Sequence, residues 1–180
     1  MQVRLARLVT AALAAALLAV GCGTQDGSPP AGEEERSDGR PTASAAASPL
    51  AFQATTLDGT TFSGASLAGK AAVLWFWAPW CTICRAEAPG VAEAARRLDG
   101  RVAFVGVAGR GELPQMRRFA DETKIGFFPQ VVDADGTVWE TFGVTSQPAF
   151  AFVRPDGRVQ VVPGSLPQAD LEAKAEDLAA

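Results

Sequence analysis

The sequence has 180 residues, a length that suits one folded domain with an additional leader segment. Hydrophobic residues make up 48% of the chain, which is enough to support an apolar core. The formal net charge is −4 and no basic patch is present, so the composition argues against a partner that is a nucleic acid.

Residues 1–21 have the features of an export signal peptide. Two arginines precede the apolar run Leu8–Val20. This run is shorter than the roughly 20 residues of a membrane-spanning helix, so it favours a signal over a permanent anchor. Ala19–Cys22 (Ala-Val-Gly-Cys) resembles a lipoprotein processing site, which implies that Cys22 becomes a lipidated N-terminus. The alternative is an ordinary secretory signal that is cleaved nearby and leaves Cys22 as a stray thiol.

Residues 22–49 are predicted to form a disordered linker, because Gly, Ser, Pro, Ala and charged residues dominate and no apolar periodicity appears. The folded domain is predicted to span residues 50–180. Its first element is a β-hairpin with strands at Ala51–Thr56 and Thr60–Phe62, since the Asp-Gly pair between them is typical of a tight turn.

Strands and helices alternate through the rest of the domain. Ala71–Trp77 is a continuous apolar run, which is typical of a strand buried on both faces. Arg85–Leu98 is rich in Ala, Glu and Arg and is predicted to be a helix. Arg101–Ala108 alternates and is predicted to be a second buried strand. The remaining predicted elements are strands at Phe128–Val132, Ala149–Val153 and Arg158–Val162, helices at Glu112–Glu122 and Leu166–Leu178, and a short helix or turn at Thr137–Phe142.

Cys81 and Cys84 lie at the predicted turn between the strand Ala71–Trp77 and the helix Arg85–Leu98. Unpaired N–H groups and the helix macrodipole favour an anion at a helix N-terminus, which makes Cys81 a candidate nucleophilic thiolate. Cys84 lies one turn inward, where it can close a disulfide with Cys81 and act as the resolving thiol. A Cys-x-x-Cys pair in this context is typical of a redox-active site.

A cysteine pair can also form part of a zinc site, a haem-attachment site or an inert structural disulfide. A structural zinc site needs about four N or S ligands, and the chain has three Cys and no His, so no metal site of the usual kind is expected. Covalent haem attachment needs a His directly after the second cysteine, where this sequence has Arg85. An inert structural disulfide remains open.

The segment Phe76–Cys84 (Phe-Trp-Ala-Pro-Trp-Cys-Thr-Ile-Cys), followed by Pro89, resembles the thioredoxin-like superfamily. Within it, the sequence is most similar to the exported TlpA/DsbE-type thiol–disulfide oxidoreductases, in particular the secreted actinobacterial oxidants of the DsbE/DsbF kind. Further matches are Asp133–Gly136, Val144–Phe150 and Pro155–Gly157. The resemblance extends from about Leu50 to the C-terminus. It implies an α/β thioredoxin fold, with a central mixed sheet flanked by helices and an added N-terminal β-hairpin.

The resemblance also assigns residues to a substrate groove. Pro148 matches the proline that is cis in this superfamily and packs beside the cysteine pair. Gln147 would offer its backbone to an extended substrate segment, although the family more often has Thr, Val or Ile there. Pro79 and Trp80 would also line this surface groove.

Three more positions near the cysteines bear on the chemistry. Trp75 replaces the buried Asp that thioredoxin uses as a proton acceptor, which weakens the case for an efficient reductase. Glu87 matches a glutamate near the site in TlpA/ResA-type proteins and could transfer protons instead; the alternative is a solvent-facing helix carboxylate. Arg85 lies one turn from Cys81 and either favours its thiolate or is simply solvated.

Together these inferences predict an extracytoplasmic thiol–disulfide oxidoreductase that needs no cofactor and acts as an oxidant. It would be tethered to the bacterial cell membrane through the lipid on Cys22, or secreted. Expected partners are exported proteins with free thiols or disulfides, and a membrane redox partner that recycles the site. The alternatives are a reductase that prepares apocytochrome c cysteines for haem, and a non-catalytic lipoprotein that keeps the fold with an inert disulfide.

Overall fold

The computed structural model describes residues 48–180, so the predicted signal peptide, Cys22 and most of the predicted linker lie outside the described residues. Within these described residues, seven strands and four α-helices follow in chain order, with one turn of 3₁₀ helix at Gly64–Leu67. The strands are β1 (Gln53–Thr55), β2 (Thr61–Ser63), β3 (Ala72–Trp77), β4 (Ala103–Gly109), β5 (Gln130–Asp133), β6 (Ala149–Val153) and β7 (Val159–Pro163). The helices are α1 (Thr82–Arg97), α2 (Leu113–Thr123), α3 (Thr137–Thr141) and α4 (Gln168–Leu178).

A five-stranded mixed sheet has the order β5-β4-β3-β6-β7. β3 is parallel to β4 and antiparallel to β6, with Trp77 opposite Ala108 and Phe76 opposite Ala149. The carboxyl ends of β3 and β4 therefore meet the amino end of β6 at one edge of the sheet. Three loops converge at this edge: the loops that follow β3 and β4, and the loop that precedes β6.

The central strand β3 is fully buried, as the unbroken apolar run predicts. Successive side chains point to opposite faces of the sheet, so two separate layers cover the strand. Val73, Trp75 and Trp77 pack with α1, α2 and α4 on the face that we call the active-site face. Ala72, Leu74 and Phe76 pack with the N-terminal hairpin and α3 on the opposite face, which we call the hairpin face.

The other predicted elements form with shifted ends. The second strand is present, but its burial does not alternate: six of its seven residues are buried because strands flank β4 on both sides and side chains cover both faces. The core side of α2 is Met116, Phe119 and Ala120, as expected. Two predicted helices begin more than one residue from the expected start, α1 three residues earlier and α4 two residues later.

The predicted N-terminal hairpin is present. β1 and β2 pair antiparallel, with Gln53 opposite Ser63. Gly59 occupies the turn with a φ of 89°, a conformation that glycine adopts without a steric penalty. The Leu57 N–H donates a hydrogen bond to the Gln130 carbonyl at 2.8 Å, which fixes the hairpin to the start of β5. Within residues 48–180, no helix has the length and apolar character needed to cross a membrane.

Candidate active site

Cys81 and Cys84 form a disulfide at the N-terminus of α1, with their Cα atoms 5.2 Å apart. Cys81 is the N-cap of this helix, and its Sγ accepts a hydrogen bond from the Cys84 N–H at 3.0 Å. The helix therefore starts at Thr82, earlier than composition predicts, because the cysteine side chain caps it. The same N–H, with the helix macrodipole, favours negative charge on Cys81 when the disulfide is open.

The two cysteines differ in exposure. Cys81 retains 6% of its surface and Cys84 retains none, and both belong to the buried cluster that contains Trp75 and Trp77. Cys81 is thus less exposed than the sequence suggests, yet it is the cysteine that solvent and a substrate thiol can reach.

Trp80 lies beside Cys81 and is 58% exposed. Its indole N–H donates to the carbonyl oxygen of Arg110, in the loop that follows β4, at 2.6 Å. Pro79 packs on Gly111 so closely that a Cβ atom at residue 111 would collide with the proline ring. The loops after β3 and β4 are thereby joined, which presents an exposed aromatic surface next to the reactive sulfur.

The peptide bond between Gln147 and Pro148 is cis, as the resemblance implies. Pro148 is buried and directly precedes Ala149, which pairs with Phe76, so it lies beside the carboxyl end of β3. Gln147 is half-buried, and among residues 48–180 its side-chain oxygen has no hydrogen-bond partner. The structure therefore brings Pro79, Trp80, Gln147 and Pro148 to the sheet edge that carries the cysteines.

Glu87 is not a solvent-facing carboxylate, so that alternative is wrong. One carboxylate oxygen accepts from the indole N–H of Trp75 at 2.9 Å, and the other accepts from the Leu166 backbone N–H at 2.7 Å. Burial raises the pKa of Glu87, and this effect outweighs the two hydrogen bonds, which lower it. α4 begins after Leu166 because its N-cap is Pro167, and the residue before a proline is disfavoured in the helical conformation. Glu87 follows Cys84 by three positions and so lies on its side of α1.

Arg85 is partly exposed and forms an ion pair with Glu122 at 2.7 Å. Its guanidinium also lies 4.8 Å from the centre of the Phe119 ring. The arginine thus links α1 to α2 across the protein surface.

Two further residues, which the sequence patterns do not predict, organise the site. Gln130 is 3% exposed, accepts from the Trp77 indole N–H at 3.1 Å and donates to the Ile125 carbonyl at 2.9 Å. The sequence feature that could have indicated Gln130 is a glutamine at the edge of an apolar strand. Arg110, with a φ of 54°, donates to the Thr145 carbonyl at 2.7 Å, and no sequence pattern marks it.

No group of three or more His, Cys, Asp or Glu side chains among residues 48–180 is arranged to hold a metal ion. The groups at the site are one disulfide, one half-buried carboxylate and the exposed indole of Trp80.

Several known proteins are similar in sequence to this chain. The soluble secreted antigen MPT53 from Mycobacterium tuberculosis is 48% identical over 117 residues, which cover 65% of this chain and 66% of MPT53. The thiol-disulfide oxidoreductase ResA from Oceanobacillus iheyensis is 31% identical over 125 residues, covering 68% of this chain and 65% of ResA. The chain thus spans just under two thirds of the length of these curated relatives.

Two solved structures share the fold at substantial identity. The structure of MTB DsbF in its mixed oxidized and reduced forms has 50% identity and a TM-score of 0.71, covering 73% of this chain and 97% of DsbF. A secreted Mycobacterium tuberculosis disulfide oxidoreductase homologous to E. coli DsbE has 42% identity and a TM-score of 0.69, covering 74% and 100%. The predicted thioredoxin fold with an N-terminal hairpin is confirmed.

The model of the AhpC/TSA family matches residues 46–162, which include both cysteines, Glu87 and the Gln147–Pro148 peptide bond. This match covers more than half of the sequence and confirms the predicted thioredoxin-like superfamily. The chain belongs to the AhpC/TSA family of thioredoxin-like proteins.

Proposed function

We propose that this protein is a thiol–disulfide oxidoreductase that transfers the Cys81–Cys84 disulfide to the thiols of exported proteins. The observation that carries the proposal is the disulfide at the N-terminus of α1, with only Cys81 accessible and with Cys81 held by the Cys84 N–H. The relatives that are named oxidoreductases, among them ResA and the secreted DsbE homologue, support it.

In the first step, a substrate thiolate attacks Sγ of Cys81, because Cys84 has no exposed surface. A bond forms between the substrate sulfur and Cys81, the bond between Cys81 and Cys84 breaks, and Cys84 leaves as a thiolate. The product is a mixed disulfide between the substrate and Cys81.

In the second step, another thiolate of the substrate attacks the substrate sulfur of the mixed disulfide. Cys81 leaves as a thiolate, which the helix N-terminus and the Cys84 N–H stabilise. The substrate has lost two electrons and two protons overall, and the cysteine pair has gained them. A membrane redox partner then reoxidises the pair.

Glu87 is the candidate for proton transfer to Cys84. Its carboxyl lies on the same side of α1 as Cys84, and burial raises the pKa of Glu87, a direction that favours a role in proton transfer. The bonds from Trp75 and Leu166 hold it in place. Glu87 would thus take over the task of the buried Asp that Trp75 replaces.

The substrate groove is proposed to run between Trp80 and Pro79 on one side and Gln147 and Pro148 on the other. An extended substrate segment would pair with the backbone of Gln147, as in β-strand addition. Gln147 is half-buried, so part of the residue remains accessible to such a segment. The exposed indole of Trp80 offers an apolar contact beside the substrate cysteine.

The proposed direction is oxidation. A stabilised Cys81 thiolate is a good leaving group and favours the reduced form of the pair, so the disulfide is readily passed on. The predicted signal peptide places the domain outside the cytoplasm, where disulfides persist. We further propose that a lipid on Cys22 tethers the protein to the cell membrane. Cys22→Ala should then release it from the membrane fraction, and continued attachment would contradict the tether.

The deciding experiment mixes the oxidised protein with reduced, unfolded ribonuclease A and measures disulfide formation. Transfer by the wild type and none by Cys81→Ser is the expected result. Vigorous reduction of insulin without oxidation of ribonuclease would favour the reductase that prepares apocytochrome c. Activity in neither assay would favour a non-catalytic protein with an inert disulfide.

A further inference from the structure

Arg110 follows directly after β4, at the sheet edge that carries the cysteine pair. Among residues 48–180, Arg110 and Lys124 are the two non-glycine residues with positive φ angles, 54° and 59°. L-residues rarely adopt this left-handed conformation, and a non-glycine residue there points to a local requirement. Lys124 meets such a requirement as the C-cap of α2. Arg110 caps no helix, so its conformation needs another explanation.

The backbone of Arg110 binds one side of the proposed groove. Its carbonyl oxygen accepts the indole N–H of Trp80 at 2.6 Å. Trp80 is 58% exposed, so packing holds only part of this side chain and the hydrogen bond sets its orientation.

The side chain of Arg110 binds the other side of the groove. Its guanidinium donates to the carbonyl of Thr145 at 2.7 Å, in the loop that leads to Gln147 and Pro148. The same guanidinium lies 5.0 Å from the centre of the buried Trp139 ring, which limits its movement. A charge-assisted hydrogen bond and a cation–π contact therefore anchor this loop to the end of β4.

We propose that Arg110 is a positioning residue that fixes the width of the substrate groove by linking Trp80 to the Thr145–Pro148 loop. This inference rests on the proposed function, and it names a determinant of how substrate proteins bind at the same site. Arg110 acts through Trp80 and Thr145 and is not itself a reacting group. Without its side chain, a bound substrate would have to order the loop, and that cost weakens binding.

The test compares Arg110→Gly with Lys124→Gly. Glycine adopts a positive φ readily, so both variants keep the backbone conformation and both lose a side chain at a left-handed position. Only Arg110→Gly removes the link to Thr145, while the carbonyl that binds Trp80 remains. Lys124→Gly is the matched control for the effect of glycine itself.

Initial rates of disulfide transfer to reduced, unfolded ribonuclease A are measured over a range of substrate concentrations. For Arg110→Gly, KM should rise about tenfold, the loss expected for one charge-assisted hydrogen bond, with a smaller change in kcat. The reduction potential of the cysteine pair should equal that of the wild type. Lys124→Gly should match the wild type in KM, kcat and potential.

An unchanged KM in Arg110→Gly would overturn the inference, and so would a shifted reduction potential, because Arg110 would then act on the cysteines. Arg110→Lys is a second test, since an ammonium can bond to the Thr145 carbonyl but lacks the planar group that lies on Trp139. Its KM should fall between those of the wild type and Arg110→Gly; a KM equal to that of Arg110→Gly would contradict the role of Thr145. If the wild type transfers no disulfide, the proposed function fails, and this inference fails with it.

Discussion

The two faces of the central sheet both bury aromatic side chains of β3, but these side chains have different kinds of partner. On the hairpin face, Phe76 packs edge-on against Trp139, with ring centres 6.0 Å apart, and against Phe142 at 5.5 Å. On the active-site face, Trp75 and Trp77 are equally buried, but each indole N–H donates to a side chain: Trp75 to Glu87 and Trp77 to Gln130.

This difference follows from the chemistry of tryptophan. A buried indole N–H needs an acceptor, whereas phenylalanine needs none. On the active-site face the acceptor for Trp75 is a carboxylate on α1, the helix that carries the cysteines. The core thus places an ionisable group near the redox pair, while the hairpin face contributes apolar packing. Changes at Glu87 should alter the chemistry of the cysteine pair, whereas loss of the apolar packing of Phe76 should alter stability alone.

The largest expected effect is at the cysteines. Cys81→Ser should abolish disulfide transfer, whereas Cys84→Ser should accumulate a mixed disulfide with a substrate that contains a disulfide, because the Cys81 thiolate attacks that disulfide and the resolving thiol is lost. Non-reducing electrophoresis after reaction with a substrate disulfide distinguishes the two. In the reduced wild type, Cys81 should be alkylated much faster than Cys84, since only Cys81 has exposed surface. Equal alkylation rates, or a mixed disulfide on Cys84, would reverse the assigned roles.

A large effect on stability is expected on the hairpin face. Phe76→Ala should lower the free energy of unfolding by about 3–5 kcal/mol, because it leaves a cavity in a fully buried position. Denaturant unfolding measures this loss. Phe127→Ala is the matched control, since Phe127 is 50% exposed and should lose far less. The rate of disulfide transfer per folded molecule of Phe76→Ala should equal that of the wild type. A lower rate would contradict the proposed difference between the two faces.

A smaller loss is expected at Gln130. Gln130→Leu leaves the Trp77 indole N–H and the Ile125 carbonyl without partners in the core, which should cost about 1–3 kcal/mol. Gln160→Leu, at an exposed position of β7, is the control and should change stability little. If Gln130→Leu and Gln160→Leu had similar free energies of unfolding, the buried hydrogen bonds of Gln130 would not stabilise the active-site face.

The smallest effect is a pH dependence at Glu87. Because its pKa is raised in the folded state, the folded protein binds this proton more tightly than the unfolded chain does. The free energy of unfolding should therefore fall as the pH rises from the unfolded carboxyl pKa, about 4.3, to the raised pKa of Glu87, and then level off. Glu87→Gln should remove this decline, and Glu93→Gln, at an exposed position of α1, should retain it. An identical pH profile in all three proteins would refute the burial effect.

Local patterns predicted much of this architecture. The apolar run of β3, the Asp-Gly turn of the hairpin and the Cys-x-x-Cys pair at the start of a helix each depend on neighbouring residues. Chain spacing alone placed Glu87 on the side of α1 that carries Cys84.

The features that no sequence pattern predicted depend on contacts between residues that are far apart in the chain. Glu87 is bound by the Leu166 N–H, 79 positions away, and this contact covers part of the carboxylate. Gln130 meets Trp77 across 53 positions. Arg110 acquires its role from a backbone angle and from Thr145, 35 positions away. No local periodicity reports such pairings, which arise only when the loops converge at the sheet edge.

The reduction potential of the Cys81–Cys84 pair tests the central claim most directly. Strong thiol oxidants have reduction potentials of about −120 mV, and reductants such as thioredoxin have reduction potentials of about −270 mV. Equilibration with glutathione buffers, read by alkylation of Cys81, gives the value. With Cys81 at the helix N-terminus and held by the Cys84 N–H, the proposal predicts a potential nearer to the oxidants. A potential at or below that of thioredoxin would contradict the assignment as an oxidant.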